Sequence, residues 1–137
     1  MDLSKKTIGC GSNYCYNLEN DLMKPVIVFA IYKPHQNKEN ELKKLILKHV
    51  PILKTNKLIT DRELVLVQSK NGIYIEIFEW KSNDAIEEAH NNPEVQNLWD
   101  EMEKVCDFTN LESIEEVREY FPQFTPIKYP SSLILPF

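Results

Sequence analysis

The chain begins with a mostly polar stretch, and its first apolar segment follows at residues 26–32. Residues 1–24 are mostly polar, contain the turn-rich run 9–13 and show little periodicity, which predicts an irregular arm. Residues 26–32 are continuously apolar and rich in β-branched and aromatic side chains. That composition predicts a strand that is buried on both faces and ends at Pro34.

An amphipathic helix is predicted next. Apolar side chains recur every three or four residues between positions 42 and 53, which places them on one helical face. Asn37 is expected to cap this helix, which would begin near Lys38. Pro51 lies inside the pattern and should kink or end the helix close to Val50, because proline has no N–H to donate. The predicted buried face comprises Leu42, Leu45, Ile46, His49, Val50 and Leu53.

A β-hairpin is predicted over residues 62–80. The dipeptide Asn71-Gly72 separates two β-rich runs, 62–69 and 73–80. It suits a type I′ turn, in which both central residues have positive φ. One face of the second run carries Tyr74, Glu76, Phe78 and Trp80, and the other carries Ile73, Ile75, Ile77 and Glu79. Both faces are largely apolar, so we expect both to be covered.

Two further helices and a strand complete the pattern. Ser82 is expected to cap a short helix over 83–90. Asn92 as a cap and Pro93 at the first helical position predict a second helix. Its buried stripe is Val95, Leu98, Trp99, Met102, Val105 and Cys106. The remaining predicted elements are a strand at 107–111, a short helix at 113–120 and a proline-punctuated tail at 121–137.

This order of elements predicts an α+β fold with a ferredoxin-like βαββαβ core, in which an antiparallel sheet carries its helices on one face. Two helices cover only one face of such a sheet. The second apolar face is therefore expected to pack against the sheet of an identical subunit. The domain is expected to span 25–111, preceded by the arm 1–24 and followed by an extension, 112–137, that packs on it.

Composition narrows the classes of function. A chain of 137 residues suits one domain, and its net charge of -5 argues against a nucleic-acid or anionic-membrane surface. No apolar run reaches the ~20 residues of a membrane span, and the N-terminus lacks the apolar region of a signal peptide. Cys10, Cys15 and Cys106 form no Cys-x-x-Cys pair, which favours neither a disulfide framework nor a zinc site. These features predict a cytoplasmic protein without nucleic-acid or membrane partners.

Two segments resemble a known superfamily. The run 74–82 (YIEIFEWKS), followed by 89–95 (AHNNPEV) and Trp99, resembles the dimeric α/β-barrel superfamily and, more narrowly, the antibiotic-biosynthesis-monooxygenase-like domains. The resemblance covers residues 25–111. It implies a homodimer that forms a barrel through its sheet faces, and it is more specific for fold than for chemistry, because such domains host several unrelated functions.

Two activities of that superfamily make different demands. The heme-degrading branch has an Asn on the first strand, a Trp on the short helix and a heme-ligating His on the next helix. Here Ala89 and Trp99 occupy those helical positions and the strand 26–32 has no Asn, so heme degradation is not expected. The quinone-forming branch uses no metal or organic cofactor and orients a polycyclic phenol with Asn, Trp and Tyr. Trp99 and Tyr74 suit such a pocket, but no Asn is clearly placed for it, so the resemblance implies no cofactor and leaves this activity open.

His49 and Glu76 are the candidate catalytic residues. His49 lies on the apolar helix face, where a structural histidine is the more common outcome, although imidazole suits acid–base chemistry near neutral pH. Glu76 lies on an apolar strand face and needs a partner, because burying an unpaired carboxylate is costly. Arg62 and His49 are both candidates for that partner. A Glu76–His49 pair in a helix–sheet pocket is the functional hypothesis, and a structural ion pair is the alternative.

Candidate substrate-binding residues are Arg62, Tyr74, Phe78, His90 and Trp99. His90 and Glu94 have the spacing of a metal pair, but Pro93 interrupts the helix between them, so no metal site is expected. The resulting hypothesis is a small-molecule-binding protein, a candidate cofactor-independent monooxygenase-like enzyme acting on a hydrophobic or aromatic substrate. The alternative is a non-catalytic dimeric module for ligand binding or structure. An enclosed pocket with converging polar groups favours the first, and a filled helix–sheet interface favours the second.

Overall fold

A computed structural model of the protein describes residues 24–129, so most of the predicted arm and the last eight residues lie outside the described part. The described residues form an α+β fold with a five-stranded antiparallel sheet and three α-helices. The strands are β1 (Val26–Pro34), β2 (Val65–Gln68), β3 (Tyr74–Trp80), β4 (Cys106–Thr109) and β5 (Thr125–Pro126). The helices are α1 (Glu39–Thr55), α2 (Asn83–Asn91) and α3 (Pro93–Glu103). None of the helices in this part of the chain has the length and hydrophobicity to cross a membrane.

The sheet has the strand order β4-β1-β3-β2-β5, and each neighbouring pair is antiparallel. In the central pair, Ala30 lies opposite Glu76 and Tyr32 lies opposite Tyr74. Because side chains alternate between the two faces of a strand, these four residues share one face. That face packs against the three helices through two clusters of buried apolar side chains.

The opposite face, called the outer face below, is only partly covered. Ile31, Ile73 and Ile75 pack there against Ile114, which follows β4 in the chain. The prediction that the first strand is buried on both faces is wrong for the single chain, because Ile27 and Phe29 keep 51% and 50% of their surface exposed. The segment after β4 covers one end of the outer face and leaves the other end open.

Helix α1 departs from its prediction at both ends. It continues through Pro51 to Thr55, although the proline supplies no hydrogen-bond donor at that position. The last turn holds because Leu53 is completely buried and because the Asn56 N–H donates to the Ile52 carbonyl. At the other end Asn37 does not cap the helix: its φ is 65°, and the helix begins at Glu39 with Lys38 in the cap position.

The hairpin is present, but its turn differs from the prediction. Gly72 has a φ of 87°, whereas Asn71 is not among the described residues with positive φ. The Gly72 N–H donates to the Ser69 carbonyl at 2.9 Å, and the Ser69 N–H donates to the Ile73 carbonyl at 2.8 Å. This is a turn followed by a left-handed glycine, and not a two-residue type I′ turn. The first hairpin strand also begins at Val65, later than the predicted Arg62.

The two predicted caps of the later helices are confirmed. The Ser82 hydroxyl accepts from the Ala85 N–H, and the Asn92 side chain accepts from the N–H groups of Glu94 and Val95. The C-terminal segment is less regular than predicted. Two 3₁₀ turns, Leu111–Ser113 and Glu115–Arg118, replace the expected helix over 113–120, and β5 adds a strand that the pattern did not indicate.

Candidate functional site

A buried carboxylate lies between the helices and the centre of the sheet. Glu76 on β3 has no exposed surface. Its Oε1 accepts hydrogen bonds from the Tyr32 hydroxyl at 2.8 Å and from Nδ1 of His49 at 2.7 Å. Its Oε2 accepts from the Tyr129 hydroxyl at 3.2 Å. Three donors from three separate parts of the chain therefore converge on one side chain.

Local sequence patterns explain how two of these donors reach Glu76. Tyr32 lies two residues after Ala30, which is directly opposite Glu76 on β1, so period-two alternation places Tyr32 on the same face. His49 belongs to the apolar stripe of α1, which packs on that face. Phe78, two residues after Glu76, meets the His49 ring edge-on with centroids 5.5 Å apart. The imidazole is thus held by packing as well as by hydrogen bonds.

Trp99 on α3 fixes the tautomer of His49. Its indole N–H donates to Nε2 of His49 at 2.9 Å. An indole nitrogen is only a donor, so Nε2 must be the unprotonated nitrogen of the ring. The proton of the neutral imidazole therefore sits on Nδ1, from which it is donated to Glu76. The hydrogen bonds run in one direction, from Trp99 to His49 to Glu76.

The two phenols are donors to the same carboxylate. Burial, followed by the charge of Glu76, raises the pKa of Tyr32 well above its usual value. The same two causes, in the same order, raise the pKa of Tyr129. Both hydroxyls therefore keep their protons and can donate to the carboxylate. With His49 they supply the hydrogen bonds that a carboxylate needs in a buried position.

Of the other predicted site residues, His90 and Tyr74 lie beside members of this network, whereas Arg62 lies away from it. His90 is exposed and meets Trp99 edge-on, with ring centroids 5.2 Å apart. Tyr74 is buried opposite Tyr32, and burial followed by the charge of Glu39 raises its pKa. Arg62 was one of two predicted partners of Glu76, but its Nε instead donates to Oε2 of Glu79 at 3.0 Å. Glu79 is three positions further along the strand and points to the outer face.

Two members of the network were missing from the sequence-based candidates. Tyr32 had a usable signal, because it shares a strand face with the residues opposite Glu76 once β1 and β3 are paired. Its position in a continuously apolar run concealed that signal. Tyr129 had none, since it lies far along the chain in a proline-punctuated tail. It reaches the site because β5 pairs with β2 and the Ile127 N–H donates to the Leu66 carbonyl at 2.8 Å.

These side chains shield Glu76 from solvent, because the carboxylate has no exposed surface. Within residues 24–129, each buried side-chain nitrogen or oxygen has a hydrogen-bond partner. Trp99 and Tyr129 are the half-buried members, so displacement of either one exposes the network to solvent. An open groove of about 410 Å³ lies near the beginning of α1 and the end of α3, lined mainly by charged side chains such as Lys44, Lys48 and Glu101.

The chemistry available to this arrangement follows from the tautomer. Nε2 of His49 is a proton acceptor, and the carboxylate on the other side of the ring stabilises the imidazolium that forms when it accepts a proton. A Glu–His pair in this orientation can act as a general base toward a group that replaces the indole N–H. In the part of the chain that the structure describes, no group of three His, Cys, Asp or Glu side chains is arranged to hold a metal ion.

Comparison of the chain with protein-family models, with curated proteins and with solved structures gave no match.

Proposed function

We propose that the protein binds a small aromatic molecule beside Trp99 and uses His49 as a general base toward it. The observation that carries this proposal is the direction of the hydrogen bonds. Nε2 of His49 accepts from a half-buried indole, while Nδ1 donates to the fully buried Glu76. Enzymes that use histidine as a base orient it by the same means, with a carboxylate on one nitrogen and the reacting proton at the other.

At the level of the fold, we propose a ferredoxin-like βαββαβ core that pairs with a second copy as a dimeric α/β barrel of the antibiotic-biosynthesis-monooxygenase-like kind. The strand order β4-β1-β3-β2, with helices between β1 and β2 and between β3 and β4, supports the first part. The exposed apolar side chains of Ile27, Phe29 and Val65 on the outer face support the second. A monomer by light scattering at micromolar concentration would contradict the pairing.

The proposed reaction begins with proton transfer. A hydroxyl group on the ligand takes the place of the Trp99 N–H and donates to Nε2 of His49. His49 then accepts that proton, and Glu76 stabilises the resulting imidazolium. An aromatic hydroxyl becomes a phenolate, which transfers one electron to dioxygen more readily than the neutral phenol does. The resulting phenoxyl radical and superoxide combine at a ring carbon as a peroxide. This peroxide takes up the proton held by His49 and loses water, which leaves a quinone. Dioxygen is therefore the co-reactant of the oxygenase-like activity that we propose.

Ligand binding can be tested with a matched pair of probes, 2-naphthol and 2-methoxynaphthalene. We expect 2-naphthol to shift the indole N–H resonance of Trp99 in a ¹⁵N-correlated spectrum, because its hydroxyl displaces that N–H from His49. The methyl ether has no proton to donate and should leave the resonance in place. His49→Asn should abolish the response, whereas His35→Asn, a change at an exposed histidine, should preserve it. Equal shifts with both probes would contradict the proposal.

The substitution Glu76→Gln tests whether the charge of Glu76 contributes to catalysis. The glutamine oxygen can still accept from Tyr32 and His49, and its amide can donate to the Tyr129 oxygen, so folding is preserved while the charge is lost. We expect oxygen uptake in the presence of 2-naphthol to fall by about 100-fold or more, the usual contribution of a general base. The measurement uses an oxygen electrode, with the free energy of unfolding determined on the same samples. Unchanged uptake would exclude Glu76 from the reaction.

A second candidate function is a non-catalytic dimeric module in which this network only stabilises the core. The complete pairing of buried polar atoms in residues 24–129 favours it, because a network of this kind specifies packing without any ligand. For such a module, neither naphthalene probe should shift Trp99, and Glu76→Gln should change nothing except stability.

A further inference from the structure

Two neighbouring aromatic side chains project from the C-terminal extension. Tyr120 is 96% exposed and Phe121 is 90% exposed, the largest values among the exposed large hydrophobic side chains of the described residues. They follow the 3₁₀ turn Glu115–Arg118 and precede Pro122. Single exposed apolar residues are common, but two adjacent aromatic rings in water are not, because each has a large apolar area to bury.

The base of this pair is fixed to the outer face of the sheet. Ile114, before the pair, is buried against Ile31 and Ile75, and Phe124, after it, packs on the same cluster. Pro122 further restricts Phe121 to an extended backbone conformation. The two rings are therefore held away from the sheet by a short segment that is anchored on both sides.

The uncovered end of the outer face offers a complementary surface. Ile27, Phe29 and Val65 are 51%, 50% and 47% exposed. Phe29 and Val65 both lie opposite Ile77 on β3, one on each side, so the patch is continuous across three strands. We call these three residues the outer patch. The segment that carries Tyr120 and Phe121 covers the other end of the same face, so a second sheet that packs on this face would also meet the two rings.

We propose that Tyr120 and Phe121 of one copy of the chain dock on the outer patch of a second copy, and that the contact is reciprocal about a two-fold axis. This inference rests on the pairing of two copies in the proposed function and names the residues that make it. The projecting pair and the patch belong to the same chain and are both apolar, which is what an isologous interface requires.

The area available is sufficient for a stable dimer. Each buried aromatic side chain contributes roughly 150–250 Å², so the four rings of two copies supply about 800 Å². The surfaces they cover on the partners contribute a similar area, which brings the total to about 1,600 Å², the usual size of a stable interface. The outer patch without the rings would fall well below that size.

The first test is the double variant Tyr120→Ser with Phe121→Ser, studied in the full chain by analytical ultracentrifugation. Both side chains are almost fully exposed, so the fold should be unaffected. We expect the dimer dissociation constant to rise at least ~100-fold, because buried aromatic anchors carry most of the energy of an interface. Leu111→Ser, which removes another exposed apolar side chain just before the extension, should leave the constant unchanged.

The second test locates the contact. A photo-reactive benzoylphenylalanine at position 121 is irradiated in a mixture of ¹⁴N- and ¹⁵N-labelled protein. We expect cross-links of mixed isotope content to the peptides that contain Phe29 or Val65. Cross-links only within one chain, for example to residues 1–23, would overturn the proposal.

The outcomes separate this inference from the function on which it rests. A double variant that stays dimeric overturns the docking of Tyr120 and Phe121 but leaves the pairing of two copies intact. A wild-type protein that is monomeric overturns both. Neither result affects the binding test at Trp99, which measures the ligand site of a single chain.

Discussion

Replacing Glu76 by leucine is expected to lower the free energy of unfolding by about 2–6 kcal/mol. The change removes the acceptor of the Tyr32 hydroxyl and of Nδ1 of His49, both of which are buried. Each buried donor left without a partner costs about 1–3 kcal/mol. Tyr129, the third donor, is half-buried and can turn to water, so it adds little. Urea denaturation followed by far-ultraviolet circular dichroism measures the difference.

Glu76→Gln is the matched control for this prediction. The amide has the shape of the carboxylate and can keep all three hydrogen bonds, so its cost should be well below that of leucine. A leucine variant as stable as the glutamine variant would mean that the three donors find other partners when Glu76 is removed. Glu76 would then not be required as the acceptor for these buried donors.

The pairing of His49 with Glu76 illustrates how far sequence patterns can predict a site. A glutamate on an apolar strand face and a histidine on an apolar helix face each need a hydrogen-bond partner once they are buried. When the two faces pack together, each side chain is an available partner for the other. Period-two alternation on β3 and the helical stripe of α1 indicate the faces on which these side chains lie. The same two patterns, alternation along the strands and three- to four-residue spacing along the helices, also indicate the α+β fold.

The remaining features depend on contacts between distant parts of the chain. Pro51 predicts a helix end locally, but the burial of Leu53 continues the helix through it. Tyr129 reaches Glu76 only because the extension pairs with β2, and nothing in its own neighbourhood indicates that. The same extension covers only one end of the outer face, so Ile27 and Phe29 at the other end stay exposed. The last two of these features share one cause, the position of the segment after β4.

A second buried carboxylate holds that segment on the sheet. Glu116 has no exposed surface, and its Oε1 accepts from the Ser69 hydroxyl at 2.5 Å while its Oε2 accepts from the Lys70 N–H at 3.0 Å. Burial raises the pKa of Glu116, but the hydrogen bonds from Ser69 and Lys70 outweigh it, so the pKa lies below its ordinary value. Glu116 therefore ties the hairpin turn to the extension in its ionised form.

Glu116→Leu is expected to destabilise the protein by about 3–6 kcal/mol at pH 7, because each of its two hydrogen bonds to a charged acceptor contributes about 1.5–3 kcal/mol. Since the pKa of Glu116 is lower in the folded chain, its contribution is complete above the ordinary carboxyl pKa of about 4.3. This contribution to stability is lost as the pH falls through the lower pKa that Glu116 has in the folded chain. The difference in unfolding free energy between wild type and variant should therefore shrink in acid.

Glu115→Leu, at the exposed neighbouring position, should stay within about 0.5 kcal/mol of wild type. A Glu116 effect that persists unchanged in acid would show that the side chain acts through packing and not through its charge.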